Sequence, residues 1–167
     1  MSLPKVVSSW NVSINGVGFL GRVESLQLPQ IKSIDAEISG CGYYAKQKVS
    51  IGIEPLTAKF VFHEINAEIF STYGLGDVIG VIAKASCGVG KDAEPLVAVF
   101  HGRFGELEIG EFKANEISGK VTATMNVVRY SLTRNNIPLV IADLENNVFN
   151  LTGLGDTLET TRNLIGA

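Results

Sequence analysis

The sequence predicts a mainly β protein: a β-sandwich or open barrel of about eight or nine antiparallel strands with two short flanking helices. Long stretches such as residues 56–65 alternate apolar and polar side chains, the pattern of a strand with one dry and one wet face. Turn signals rich in Gly and Asn separate these stretches, and only two short segments carry helix-start signals. We expect residues 1–167 to form a single domain.

Three glycines near the N-terminus allow two interpretations. Gly16, Gly18 and Gly21 match G-x-G-x-x-G, the spacing of a dinucleotide-binding loop. Such a loop must open a helix whose N–H groups hold the phosphates, but the run after Gly21 alternates and ends at Pro29. Asn15-Gly16 between two apolar runs is instead typical of a β-hairpin with a type I′ turn. The hairpin is favoured, with a β-bulge at Gly21 where the alternation slips by one residue.

The segment of about residues 30–45 predicts an extended arm, with an ordered loop as the alternative for its first part. Gly40 and Gly42 give the segment flexibility, and Tyr43 and Tyr44 follow them. The tip of such an arm can dock on a neighbouring molecule. The competing interpretation is a surface loop with two packed tyrosines.

Further strands are expected wherever the alternation persists. A tight turn at Asn135-Asn136 follows the longest of them, because Asn tolerates positive φ better than most residues. The predicted strands cover residues 9–14, a partner starting at Val17, and residues 46–53, 56–65, 78–85, 96–104, 120–134, 138–142 and 146–151, with a continuation of the 96–104 strand towards Phe112 as an alternative.

Two segments carry helix signals. Asn66 is a good N-cap for a short helix over residues 67–73. Near the C-terminus, Asp156 and Glu159 have the spacing of a capping box, which predicts a helix at about residues 156–164.

The composition limits the function. Charged residues make up 19% of the chain, below the ~25% typical of soluble domains, which hints at surface buried in an assembly. The net charge of −3 argues against a protein that grips phosphates, although it allows DNA to pass without being held. The first residues do not have the pattern of a signal peptide, and no apolar run approaches the ~20 residues of a membrane span, so no membrane anchor is expected.

Residues with catalytic or metal-binding chemistry are scattered. His63 and His101 are isolated within predicted strands, which is typical of packed or surface residues rather than metal ligands. Glu106, Glu108 and Glu111 could supply a carboxylate pair for glycoside chemistry, but a solvated strand face is the favoured interpretation. We therefore expect no enzyme activity, no catalytic residue, no cofactor and no metal.

A monomeric small-molecule-binding β-barrel is the main alternative function. It rests on the high strand content and on four phenylalanines in positions that look interior, at Phe60, Phe62, Phe100 and Phe104. A compact monomer in solution would favour it.

Short features follow one another along nearly the whole chain: Asn11-Val12, Asn15-Gly16, Gly21, Leu28-Pro29, Gly40, Gly42, Val49, Gly52, Leu56, Gly110-Glu111, residues 130–133 and the ending 162–167. In this order they resemble the major tail tube proteins of contractile-tailed bacteriophages and phage-tail-like bacteriocins, the tube family of contractile injection systems. Two departures stand out. Asn135-Asn136 replaces the Asp-Gly type of turn usual in the family, and residues 77–94 match poorly.

The resemblance implies a structural virion protein of the tail, assembled in the cytoplasm of the bacterial host. Homohexameric rings would join their strands into one β-barrel and stack into the hollow inner tube of a contractile tail. This tube would serve DNA delivery or envelope puncture, with only transient, non-specific passage of DNA. The implied partners are other copies of the chain, the tail sheath protein, the baseplate or tube initiator, and the tape-measure protein.

By analogy with the family, the arm and the chain termini would form contacts between subunits and between stacked rings. The expected contact residues are Lys32, Ile34, Tyr43, Tyr44, Arg162 and Asn163. The lumen would be lined by one wet strand face, with Lys48, Ser50, Thr57 and Lys59 as candidates.

Overall fold

Antiparallel strands make up most of the computed structural model, which describes residues 5–42, 44–74, 76–115 and 119–166. Two short helices and one 3₁₀ turn at Gly90–Asp92 accompany the strands. The helices are α1 (Ala67–Gly74) and α2 (Glu159–Ile165). The strands are β1 (Val7–Ile14), β2 (Val17–Gly18), β3 (Val23–Gln27), β4 (Ser33–Ile38), β5 (Gln47–Ile53), β6 (Leu56–Phe62), β7 (Ile79–Cys87), β8 (Glu94–Ile109), β9 (Val121–Arg134), β10 (Ile137–Asp143), β11 (Val148–Leu151) and β12 (Gly155–Asp156).

The predicted hairpin at the N-terminus is confirmed. Asn15 and Gly16 have φ angles of 48° and 84°, and β1 pairs with β2 on either side of them. The bulge expected at Gly21 is wrong, because β2 ends earlier and Gly21, at φ 75°, lies in a turn that leads into β3. The cause is Phe19, which is buried against Phe62 with ring centroids 5.9 Å apart and draws the chain across the core.

The two longest strands belong to two sheets at once. The first half of β8 pairs with β7, while the first half of β9 pairs with β6. β8 and β9 pair with each other along their length, with register shifts near Gly102 and Gly105. All ten strands therefore belong to one branched sheet, in which we call the path β12-β11-β10-β9-β8-β7-β1-β2 the large sheet and the path β3-β6-β9-β8 the small sheet. The predicted mainly β, antiparallel class is confirmed, but the described strands do not close into a barrel.

Phenylalanine side chains fill the space between the two sheets. Phe60 lies at the centre, with ring centroids 5.8 to 6.0 Å from those of Phe62, Phe100 and Phe104. All four are at most 8% exposed. Such aromatic pairs contribute about 0.5–1.5 kcal/mol each beyond the burial of their area. These rings pack on one another. In the alternative of a small-molecule-binding β-barrel they would instead line a ligand cavity.

The two ends of this core differ. Helix α1 follows β6 at one end, where the Glu68 N–H donates to Asn66 Oδ1 at 3.0 Å and Ile69 is buried in the core, as the N-cap signal predicts. The opposite end opens into an apolar cleft of about 300 Å³, whose walls include Trp10, Leu26 and Leu28. In the described part of the chain, neither helix has the length and apolar character needed to span a membrane.

The segment expected to be a loop or an arm forms a hairpin. β4 and β5 pair with each other as a separate two-stranded sheet, which we call the arm (residues 33–53). The Glu54 N–H donates to the carbonyl of Lys32 at 2.8 Å and closes its base.

The capping box predicted before α2 does not form. Asp156 lies in β12 and accepts hydrogen bonds from the N–H groups of Phe149 and Leu158. Leu158 occupies the N-cap position and Glu159 is the first helical residue. Asp156 is therefore used to close the β11–β12 turn rather than to start the helix.

Candidate assembly surfaces

The small sheet has one face in the core and one polar face in solvent. Residues paired across neighbouring strands lie on the same face, so the register aligns polar side chains in rows. One row runs Gln27, Lys59, Thr124 and Glu106, and a second contains Thr57, Asn126 and Arg103. We call this surface the polar face; it comprises Ser25, Gln27, Thr57, Lys59, Arg103, Glu106, Glu108, Thr122, Thr124 and Asn126, together with one apolar residue, Val61.

Charge on the polar face is balanced. Lys59 and Arg103 oppose Glu106 and Glu108, and apart from Val61 the remaining positions carry hydroxyl or amide side chains. A surface of this kind stays wet and presents no dense block of positive charge that would hold phosphates.

Both outer strands of the small sheet have an open edge. Among the described residues β3 pairs with β6 alone, and β8 from Arg103 to Ile109 pairs with β9 alone. Each edge presents backbone N–H and C=O groups that can bind a further strand. Successive strands of the sheet are antiparallel, so β3 and β8 run in opposite directions. A β8 edge can therefore meet the β3 edge of an identically oriented copy in antiparallel fashion.

An ion pair holds β3 against the start of β9. Lys120 Nζ donates to Glu24 at 2.8 Å, and this hydrogen bond lowers the pKa of the Glu24 carboxyl below its usual range. The pair lies at the end of β3 that is near Phe62, and both side chains are more than one third exposed.

The arm is amphipathic. Cross-strand pairing places Ile34, Ala36, Ile38 and Val49 on one side, which we call the arm's apolar face, while Asp35, Glu37, Lys48 and Ser50 lie on the other side. Ile34, Ile38 and Val49 are 41%, 50% and 43% exposed. An isolated two-stranded sheet is marginal in water, so an apolar face this open favours contact with another surface.

The predicted contact residues of the arm lie in different parts of it. Lys32 is exposed at the base and Ile34 belongs to the arm's apolar face. Tyr44 is fully exposed near the tip, so the alternative of a packed tyrosine does not apply to it. Tyr43 lies outside the described residues.

The predicted contact residues of α2 differ in their surroundings. Arg162 binds within its own subunit, where it donates to the carbonyl of Asn147 at 2.8 Å and to Asp156. The hydrogen bond from Arg162 is the main cause of the lowered pKa of Asp156. Asn163 is exposed, and the helix buries none of its side chains. Arg162 therefore attaches α2 to the β11–β12 turn, and its role between subunits stays a prediction.

Residues considered for chemistry are not brought together. His101 lies in β8, whereas His63 directly follows the end of β6. The described residues include no cluster of His, Cys, Asp or Glu suited to a metal ion. Glu106 and Glu108 are exposed in different rows of the polar face, and Glu111 follows β8. β3 follows Gly21, so the glycine motif has no helix to hold a phosphate.

Sequence reasoning missed most of the polar face and both open edges. Thr57 and Lys59, expected in the lumen, lie on the polar face, whereas Lys48 and Ser50 lie on the polar side of the arm. The alternation of β9 was a usable signal for Thr122 and Thr124. Arg103 and the edges depend on register, which the local pattern does not contain.

Comparison with known proteins gives one clear family assignment. A protein-family model described as phage tail tube protein FII matches residues 4–166, which is nearly the whole chain. A search of curated proteins found no match.

Proposed function

This chain belongs to the phage tail tube protein FII family, and we propose that it forms hexameric rings that stack into the hollow inner tube of a contractile tail. As a member of this family it is a structural component of the phage tail tube and not an enzyme. Its place is the virion tail, where it assembles with itself and other tail components. The hexamer, the ring geometry and the specific partners are the proposal.

The observation that carries the ring is the pair of open edges on the small sheet. β3 and β8 lie at opposite sides of the sheet and run antiparallel to each other. A rotation about an axis roughly along the strands brings the β8 edge of one copy to the β3 edge of the next. Repeated six times, this heterologous contact closes on itself and removes both edges. The four strands of each small sheet then become part of one continuous barrel.

The polar face then lines the lumen, because the opposite face of the small sheet is occupied by the phenylalanine core. Thr57 and Lys59 point into the channel together with Arg103, Glu106 and Glu108. Balanced charge and hydroxyl groups support a passage in which DNA slides without being retained. Lys48 and Ser50 continue the lining on the arm.

Contacts along the tube axis are proposed for the arm and α2. The exposed Ile34 and Tyr44 are available for the neighbouring ring, as is Lys32 at the arm base. Asn163 on α2 is also exposed and available for such a contact. The tail sheath protein, the baseplate or tube initiator and the tape-measure protein are the further partners that the family relationship supports.

Solution mass and shape test this function directly. We expect purified full-length protein to give particles with a mass near six times the 17.9 kDa chain, and longer tubes as the concentration rises. Negative-stain micrographs should show rings with a central hole. A single species at 17.9 kDa under all conditions that favour assembly would contradict the proposal.

A further inference from the structure

A polar pocket of about 300 Å³ lies where the base of the arm meets the polar face. Its lining includes Thr57, Lys59 and Thr124 from the polar face and Lys32 and Glu54 from the arm base. Lys59 is paired with Thr124 on the neighbouring strand, so a hydroxyl group lies beside its ammonium group. We call this cavity the lysine pocket.

The two lysines of the pocket have no carboxylate partner in the described part of the chain. The lysines that form ion pairs there are Lys5, Lys46 and Lys120. Lys32 and Lys59 are not among them, although Glu54 lines the same cavity. Their ammonium donors are therefore available to an anion from solution.

The donors around Lys59 suit an anion with several acceptor oxygens. On one side, Gln27 of β3 is paired with Lys59 and offers an amide group. On the other side, Thr124 of β9 offers its hydroxyl. A phosphate group carries negative charge on oxygens that point in different directions, so it can accept from lysine, amide and hydroxyl donors at once.

Carboxylates near the pocket limit its strength without cancelling it. Glu54 is the one carboxylate among the lining residues, against two lysines. Glu106 lies in the same row as Lys59 but two strands away, through Thr124. Two strand spacings are about 10 Å, close to the screening length in ~0.1 M salt. The pocket therefore keeps a small excess of positive charge.

We propose that the lysine pocket binds a phosphate group, one per subunit, and that in the tube it contacts the backbone phosphates of passing DNA. The role in the tube rests on the proposed function, whereas phosphate binding is a property of the subunit. Two exposed lysines give a weak site, with a dissociation constant on the order of 1 mM. At an association rate of about 10⁸ M⁻¹s⁻¹ such a site releases its ligand within roughly 10 μs, so each contact is brief.

Substitutions in the pocket should change phosphate binding in opposite directions. Lys59→Gln should weaken the binding of inorganic phosphate about threefold, because one cation is lost. Glu54→Gln should strengthen it by about the same factor, because the carboxylate repels the ligand. Lys59→Arg keeps the charge and should bind as the wild type does. These side chains are exposed, so each variant should keep the wild-type fold.

The line width of inorganic phosphate in phosphorus NMR measures this binding on the full-length protein at neutral pH. Sodium chloride keeps the ionic strength constant during the titration. Lys84→Gln is the matched control, because Lys84 is an exposed lysine on the side of the large sheet that faces away from the core. It removes the same charge and should leave the dissociation constant unchanged.

A short oligothymidylate distinguishes a DNA backbone from free phosphate as the ligand. We expect the oligothymidylate to bind the wild type, to bind Lys59→Gln more weakly, and to compete with inorganic phosphate. Thymidine, which has the base and sugar without the phosphate, should not compete. Phosphate binding without any oligothymidylate binding would overturn the contact with DNA.

The outcomes separate this inference from the function on which it rests. Equal phosphate binding by wild type, Lys59→Gln and Glu54→Gln would overturn the lysine pocket as a phosphate site, as would an equal loss in Lys84→Gln. Wild-type protein that forms no rings or tubes would instead contradict the ring-forming function. In that case the phosphate titration of the subunit still decides whether the pocket binds phosphate.

Discussion

At the scale of single residues, close backbone approach decides where the chain tolerates a side chain. A Cβ at Gly102 would lie 2.1 Å from the carbonyl oxygen of Asn126, at the register shift where β8 changes from the large to the small sheet. Gly102 therefore lets the two longest strands bend together.

Gly102→Ala should destabilise the subunit strongly. The added methyl group displaces backbone rather than a movable side chain, so we expect the free energy of unfolding to fall by about 3 kcal/mol or more. Gly18→Ala is the control, because nothing lies within 4 Å of a Cβ there and its φ is not positive. That variant should stay within about 0.5 kcal/mol of wild type in a urea titration. Equal stability of the two variants would contradict the role of Gly102.

The Asp156–Arg162 pair predicts a pH dependence for the attachment of α2. The pKa of Asp156 is lowered in the folded chain, chiefly by the hydrogen bond from Arg162. A lowered folded pKa contributes stability above the unfolded value of about 3.9, and this contribution is lost as pH falls through the folded pKa. The protection of the amides of residues 159–165 against hydrogen exchange, relative to an unfolded peptide at the same pH, should therefore fall on acidification below that value.

Arg162→Met should produce the same loss of protection at neutral pH and remove its dependence on acidification. Asn163→Ala, one residue away and exposed, is the control and should keep the wild-type profile. An Asp156 that titrates in the folded protein as it does in an unfolded peptide would rule out this account.

At the scale of elements, local sequence patterns predict where strands occur but not which strands pair with each other. β9 alternates Val121, Ala123 and Met125 in the core with Thr122 and Thr124 outside, and its strand was predicted nearly to the residue. The tight turns were also predicted from local sequence, because Asn and Gly are the residues that most readily adopt a positive φ.

The features that could not be predicted depend on contacts between residues that are far apart in the sequence. The arm's first strand alternates Ile34, Ala36 and Ile38, yet its apolar side has no core beneath it, so the pattern did not indicate burial. The turn at Gly21 and the failed capping box at Asp156 depend on contacts with Phe62 and Phe149. Which strand edges stay open is likewise a property of register and not of any local segment.

Replacing the whole arm tests its role as an element. Residues 33–53 replaced by Gly-Ser-Gly should leave a folded subunit, because among the described residues the two strands of the arm pair only with each other and the arm closes at its base between Lys32 and Glu54. We expect rings in micrographs and no tubes, with a melting temperature close to wild type. Long tubes from this variant would show that stacking does not need the arm.

At the scale of the whole molecule, the exposed surfaces make sense only in an assembly. The chain has few charges, 19% of its residues, and leaves apolar side chains exposed on the arm and at Ile65, Ile109 and Phe112. In the described part of the chain, the small sheet has two open edges, and their strands β3 and β8 run in opposite directions, so that the two edges can pair. Ring closure covers the edges and stacking covers the apolar surfaces, so the unsatisfied features of the subunit become the contacts of the tube.

A helical reconstruction of the assembled tube by electron microscopy is the most direct test of the proposed ring and of its channel. We expect six subunits per ring, with β8 of each subunit hydrogen-bonded to β3 of the next. The side chains of Thr57, Lys59 and Glu106 should line the channel. Rings joined through the large sheet, or a channel lined by another face, would contradict it.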